Sequence, residues 1–88
     1  MPYIDNAVRE ALDSTNYWED LGYNANSPGE MNYIITTILT KYLLKHGKSY
    51  QTYNDLIGVL ECAKLELYRR MVAPYEDIKI KENGDVYK

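Results

Sequence analysis

The segment from residue 27 to residue 47 constrains the fold more than any other part of the chain. It opens with Ser27, Pro28 and Glu30, which form a capping box with proline at the first helical position. Large apolar residues then recur at helical spacing: Met31, Ile34, Ile35, Ile38, Leu39, Tyr42 and Leu43. Gly47 follows as a C-cap residue. The pattern predicts a helix over 28–46, because its period is 3.6 residues and not 2.

A helix is also predicted before this segment, over about 5–20. Its apolar residues begin at Ile4, and Asp5 is a candidate N-cap. The run from Ser14 to Asn16 is poor helix interior and favours a split, with one helix to about residue 13 and a second turn or continuation through Trp18.

A third helix is predicted over 52–72, with Ser49 as an alternative start. Its apolar stripe contains Leu56, Leu60, Ala63, Leu67 and Met71. Pro74 is expected to end it, because proline clashes with a continuing helix. The short connection from Gly47 to Gln51 predicts that the second and third helices form an antiparallel hairpin.

The last stretch, residues 75–88, is predicted to be a short tail. Apolar and charged residues alternate around Asn83-Gly84, a dipeptide that favours a two-residue turn. A β-hairpin and an irregular extended tail both remain open. The predicted fold class is therefore all-α, as one small domain over 1–88. Its N-terminal helix packs on a long antiparallel helical hairpin, followed by an extended or β-hairpin-like C-terminal tail.

The residue types exclude several classes of protein. One cysteine, Cys62, cannot form an internal disulfide, and with one histidine, His46, it cannot furnish a four-ligand metal site. We find no phosphate loop and no nucleophile–base set, so we expect no enzyme, no catalytic residues and no cofactor. The N-terminus does not resemble a signal peptide, and no apolar run is long enough for a membrane span. We expect a soluble cytoplasmic protein.

Charge is distributed unevenly along the chain. Residues 1–30 carry a net charge of -5, and residues 31–75 carry +3, within a total of -3. An acidic total disfavours binding to duplex nucleic acid, which needs a basic face. The asymmetry favours pairing of the acidic segment with the basic one, within a chain or between subunits. A chain this small also gains stability by association, so a homo-oligomer is expected.

The antiparallel hairpin predicts one candidate ligand site. If His46 lies opposite Tyr53, residue 31 lies opposite residue 68, so the start of the second helix meets the end of the third. Helix N–H groups and two arginines would hold an anion such as a phosphate, and tyrosines would stack on a planar ring. The residues are Ser27, Gly29, Asn32, Tyr33, Tyr68, Arg69, Arg70 and Tyr75. A structural alternative stays open, in which the arginines pair with nearby carboxylates and the capping box uses the N–H groups.

Two stretches carry a resemblance to a known group of proteins. They are Gly29-Glu30-Met31-Asn32-Tyr33 and the run from Ile57 to Tyr87, IGVLECAKLELYRRMVAPYEDIKIKENGDVY. The chain resembles a family of short uncharacterised proteins of tailed phages, prophages and bacterial genomes, in which leucine often stands where this chain has Met31. The resemblance implies a phage accessory protein in the host bacterial cytoplasm, and no activity.

The leading hypothesis is non-catalytic binding of a phosphorylated, nucleotide-like ligand. By analogy with small oligomeric phage proteins, that ligand would be a signal of host immunity, which makes the role anti-defence. The alternative is a structural or protein–protein interaction module, either a homo-oligomer or an inhibitor of a host protein. A DNA-mimicking inhibitor, suggested by the acidic first third, is a weaker third hypothesis.

Overall fold

A computed structural model describes residues 2–87, and every regular element in that range is helical. The elements are α1 Asn6–Asp13, a first π-helical segment Glu19–Tyr23, α2 Pro28–His46, α3 Tyr50–Leu67, a second π-helical segment Tyr68–Val72, and α4 Ala73–Asn83. The predicted all-α class is confirmed. Over these same residues, no helix combines the length and apolar content that crossing a bilayer requires.

The chain divides into two compact units. The first is Tyr3–Leu56, which holds α1, the first π segment, α2 and the start of α3. The second runs from Ile57 toward the C-terminus and includes Pro2. Each unit is described by itself below, and the single domain over 1–88 stays a prediction.

Helix α2 has the bounds that the sequence predicts. Ser27 is its N-cap in an extended conformation, and its Oγ accepts the Glu30 backbone N–H at 3.1 Å. At the other end, Gly47 adopts φ 91°, and its N–H donates to the Leu43 carbonyl at 2.8 Å. A positive φ is costly for residues with a Cβ atom, so glycine at this position ends the helix at His46.

The N-terminal segment predicted over 5–20 is split, and its first helix, α1, has the predicted end near residue 13. Helix α1 ends at Asp13, because hydroxyl groups bond the last carbonyls: Ser14 Oγ donates to Ala11 O at 2.7 Å and Thr15 Oγ1 to Leu12 O at 2.8 Å. This is the competition with the backbone that favours a split at these residues. The chain then turns into the first π segment.

Side-chain packing in the first unit is limited. Leu21 of the first π segment lies against α2 in a groove of about 180 Å³ lined by Tyr33, Ile34, Thr37 and Ile38. Leu56 and Thr52, one turn apart on α3, are the two buried residues of the described chain. Helix α1 leaves its apolar residues Val8 and Leu12 exposed, and Ile4, just before the helix, is exposed as well. The packing of the N-terminal helix on a hairpin of α2 and α3 is not confirmed.

Pro74 does not end the third helix, contrary to the sequence-based prediction of 52–72. The elements α3, the second π segment and α4 follow one another without a break over 34 residues. The Ala73 N–H donates to the Tyr68 carbonyl, five residues earlier, and Pro74 falls in the first turn of α4. Proline is tolerated there because the first turn of a helix does not need its N–H, and a π segment provides the room that its ring requires.

The prediction that residues 75–88 form an extended or β-hairpin-like tail is wrong for the residues up to Asn83. These residues are helical. Gly84 has φ 88°, and its N–H donates to the Ile80 carbonyl at 2.8 Å. The Asn83-Gly84 pair therefore ends a helix and does not form a hairpin turn. The dipeptide suits both structures, because each of them uses a glycine with positive φ. An ion pair between Lys79 and Glu82, at 3.3 Å, spans one helical turn.

Candidate functional site

Four of the predicted site residues lie at the start of α2. Ser27 is occupied as the N-cap, and Glu30 Oε1 accepts the Asn26 backbone N–H at 3.1 Å. Asn32 accepts a hydrogen bond from the Thr36 hydroxyl at 3.3 Å. The predicted capping box is thus present, with its glutamate reaching one residue further back than the usual motif.

Gly29 and Tyr33 complete this first cluster. A side chain added at Gly29 would meet Ser27 Oγ at 3.8 Å, an ordinary contact, so no close approach requires glycine there. Tyr33 is 73% exposed, and its ring borders the groove beneath Leu21. A tyrosine that is open on one face and packed on the other suits a contact surface for a ligand or for another protein.

The other four predicted site residues lie in the second unit. Tyr68, Arg69 and Arg70 belong to the second π segment, and Tyr75 lies in the first turns of α4. Arg69 pairs with Glu66 at 2.6 Å. The Lys79 ammonium lies 5.5 Å from the centre of the Tyr75 ring. Arg69 is therefore paired with a carboxylate, as the structural alternative predicts. The ring of Tyr75 already has a cation of the same chain, Lys79, near it.

Tyr68 is bonded to a carboxylate rather than left open for a ligand. Its hydroxyl donates to Glu76 Oε1 at 2.8 Å, across two turns of helix. This hydrogen bond raises the pKa of Tyr68 above its ordinary value. The negative charge of Glu76, slight burial and the nearby Asp77 act in the same direction.

The cavity beside Tyr68 has an acidic lining. It measures about 430 Å³, lies within the second unit, and is bordered by Glu76, Asp77 and Asp85 with Lys79 as the one basic residue. Three carboxylates against one ammonium repel a phosphate. The Tyr68 side of the second cluster is therefore less favourable to an anion than its two arginines suggest.

The two clusters belong to different units, so their predicted meeting across a hairpin stays a prediction. Residues that sequence analysis did not assign to any site line the cavity: Ile80 and the stretch from Gly84 to Tyr87. All of them fall within the predicted tail over 75–88. The signal that would have found them is the helical recurrence of Glu76, Ile80 and Asn83, which extends the third helix.

A second kind of surface, made of apolar side chains, lies along α2. On α2, the side chains of Met31, Ile35, Ile38 and Tyr42 are between 37% and 51% exposed. We call these four residues the α2 stripe. Across residues 2–87, Leu56 is the one large apolar side chain that is buried. Apolar residues at this density and spacing are those that a helix normally covers.

The Tyr68–Glu76 bond predicts a distinct alkaline titration. In the full chain with ¹³C-labelled tyrosines, the Tyr68 resonance is expected to titrate at higher pH than it does in a Glu76→Gln variant. Because the folded-state pKa is raised, the bond stabilises the fold below the ordinary tyrosine pKa of about 10 and is lost as pH rises above it. Identical midpoints in the two proteins would contradict this assignment.

Taken together, the fold and its surfaces define a small all-helical protein whose helices present uncovered apolar faces. The chain belongs to a family of unknown function: the family model described as Domain of unknown function (DUF6899) matches residues 1–86. Comparison with curated proteins and with solved structures finds no match. The resemblance to an uncharacterised family is confirmed, while its phage origin stays a prediction.

Proposed function

We propose that this protein is a non-catalytic helical interaction module that works as a homo-oligomer. One observation carries the proposal: the large apolar side chains of residues 2–87 are exposed or half-buried, with the exception of Leu56. A domain that functions alone buries such side chains, because each one buried stabilises the fold by about 1.5–3 kcal/mol. Contacts with another chain supply that burial here.

The second unit supports the same proposal. Its regular structure is one helical run from Ile57 to Asn83, with no other helix of that unit beside it among the described residues. Leu65, Leu67 and Met71 are each more than half exposed along this run. An isolated helix gains little stability in water without packing, so this unit needs a partner surface.

A second copy of the chain is the partner that the charges favour. The net charges of -5 over residues 1–30 and +3 over residues 31–75 are complementary. The ion pairs Lys64–Glu61, Arg69–Glu66 and Lys79–Glu82 each join residues three apart on one helix and leave this long-range asymmetry in place. Pairing the acidic segment of one copy with the basic segment of another brings opposite charges together.

Binding of a phosphorylated, nucleotide-like ligand is the second candidate function. Tyr33, exposed beside the α2 N-terminus, and Arg70, in the same predicted cluster as Tyr75, support it, since such groups hold phosphate and stack on a base. The Arg69–Glu66 pair and the acidic cavity weigh against it. The resemblance would place either function in a phage protein acting in the bacterial cytoplasm.

Native mass spectrometry of the purified full chain tests the proposal. We expect a defined homo-oligomer with no other protein and no added mass. Monomer ions alone would overturn it, as would a stoichiometric complex with a different protein. A nucleotide-sized added mass that disappears in the double variant Arg69→Ala/Arg70→Ala would establish the second candidate instead. A Lys48→Ala/Lys81→Ala variant, which also removes two positive charges but lies outside both clusters, is the matched control.

A further inference from the structure

The α2 stripe has the spacing of a helix–helix seam. Its residues, Met31, Ile35, Ile38 and Tyr42, follow one another at steps of four, three and four. Alternating steps of three and four keep apolar residues on one face along a pair of packed helices. The groove beneath Leu21 lies on the adjacent side of α2 and shares Ile38 with the stripe, whereas Met31, Ile35 and Tyr42 do not line it.

We propose that the α2 stripe is the self-association surface of this protein, and that it pairs with the α2 stripe of a second copy in antiparallel orientation. The inference rests on the proposed homo-oligomer and names its interface. It makes the interface isologous, with the same residues contributed by both copies around a two-fold axis.

The side chains of the stripe are self-complementary under that axis. Met31 lies opposite the partner's Tyr42, and Ile35 lies opposite the partner's Ile38. A long, flexible side chain thus meets an aromatic ring at each end, and two isoleucines meet on either side of the centre. The end layers pair a flexible side chain with a flat ring and the central layers pair two isoleucines, which favours close packing over void space.

Charge selects the antiparallel orientation over the parallel one. Glu30, Lys41 and Lys45 lie on the same flank of the stripe. In an antiparallel pair, Glu30 is level with a position between the partner's Lys41 and the partner's Lys45, so opposite charges meet twice in the dimer. In a parallel pair the two-fold axis runs along the helices and puts these flanks on opposite sides of the seam, so Glu30 meets neither lysine of the partner, and the helix dipoles would also be aligned unfavourably. No ion pair within residues 2–87 occupies either lysine in the structure.

Disulfide trapping tests the orientation. Two preparations of the full chain, one Ile35→Cys and one Ile38→Cys, both carry Cys62→Ala and differ in mass by a tag. After they are unfolded together, refolded and oxidised, we expect the mixed disulfide between positions 35 and 38 to dominate. Disulfides between two copies of the same preparation would indicate a parallel pair and overturn the proposal. A Leu44→Cys preparation, on the opposite face of α2, measures the random background.

Substitution tests the surface itself. Ile38→Glu places a charge in the seam of both copies and is expected to raise the dissociation constant of the oligomer at least about a hundredfold. Leu44→Glu adds the same charge on the opposite face, where the side chain is 67% exposed, and is expected to change the constant less than about threefold. If Ile38→Glu does not fold, the disulfide experiment still decides the question.

The outcomes separate this inference from the proposed function. A wild-type chain that is monomeric overturns both. An oligomer that persists in Ile38→Glu and forms no mixed disulfide above background overturns the α2 seam and leaves the homo-oligomer standing. An Ile38→Glu chain that loses stability without any change in subunit number would show that Ile38 serves packing within its own chain, as in the groove beneath Leu21, which also overturns the seam.

Discussion

Replacing Leu56 with alanine is expected to lower the free energy of unfolding by about 2–4 kcal/mol. Leu56 is 9% exposed, and no other large apolar side chain of the described residues is buried. Truncation removes its contacts and leaves a cavity next to a helix that has little other packing. The measurement is urea unfolding at one fixed protein concentration, since association also contributes to the apparent stability.

Leu44→Ala is the matched control for this substitution. It removes the same atoms from a leucine that is 67% exposed on α2, so a change within about 0.5 kcal/mol is expected. Equal losses for the two variants would show that Leu56 is not a distinct core position of the folded chain.

Dilution is expected to lower the melting temperature of this protein. If subunits gain their burial from each other, unfolding is coupled to dissociation, and the melting temperature should fall by about 3–5 °C for each tenfold dilution. The reason is that free subunits, which expose the α2 stripe and the apolar residues of α1, have too little packing to remain folded. Circular dichroism measures the melting temperature at each concentration, with the path length of the cuvette increased as the protein is diluted so that the signal stays the same.

The dilution experiment compares the wild type with the Leu44→Glu and Ile38→Glu variants. Leu44→Glu should show the wild-type dependence on concentration. Ile38→Glu should already be melted, or melt lowest, at concentrations where the wild type is folded. A melting temperature that is the same at every concentration in all three proteins would contradict coupled folding and association.

Local signals predicted the parts of the fold that local energetics decide. Ser27 and Gly47 specify the two ends of α2 by side-chain capping and by a positive φ, and the structure has both. The split after Asp13 follows from the hydroxyl groups of Ser14 and Thr15 in the same way. Each of these features depends on atoms within about one turn of helix, which a sequence shows directly.

Two signals were ambiguous because each serves more than one structure. Asn83-Gly84 suits a hairpin turn and a helix C-cap equally, and the choice depends on the residues before it. Pro74 ends a regular α-helix, but the second π segment accommodates it at the start of α4. Extending an existing helix through residues 75–83 needs no new nucleation, whereas a two-stranded hairpin is marginal in water.

The sequence predicted which residues make up each cluster of the candidate ligand site, but not which side chains they bind. Arg69 and Tyr68 are where the sequence placed them, near the end of the third helix, yet Glu66 and Glu76 bind them. The bond from Tyr68 to Glu76 requires helix on both sides of Pro74, which the sequence analysis had excluded. The juxtaposition of the two clusters depends on long-range packing, which residue periodicity does not determine.

Sedimentation velocity of the full chain over a wide range of concentration tests the central claim most directly. The account predicts a reversible homo-oligomer that dissociates on dilution together with a loss of helical signal in the same samples. A species of single-chain mass that keeps its helical signal at every concentration would contradict it.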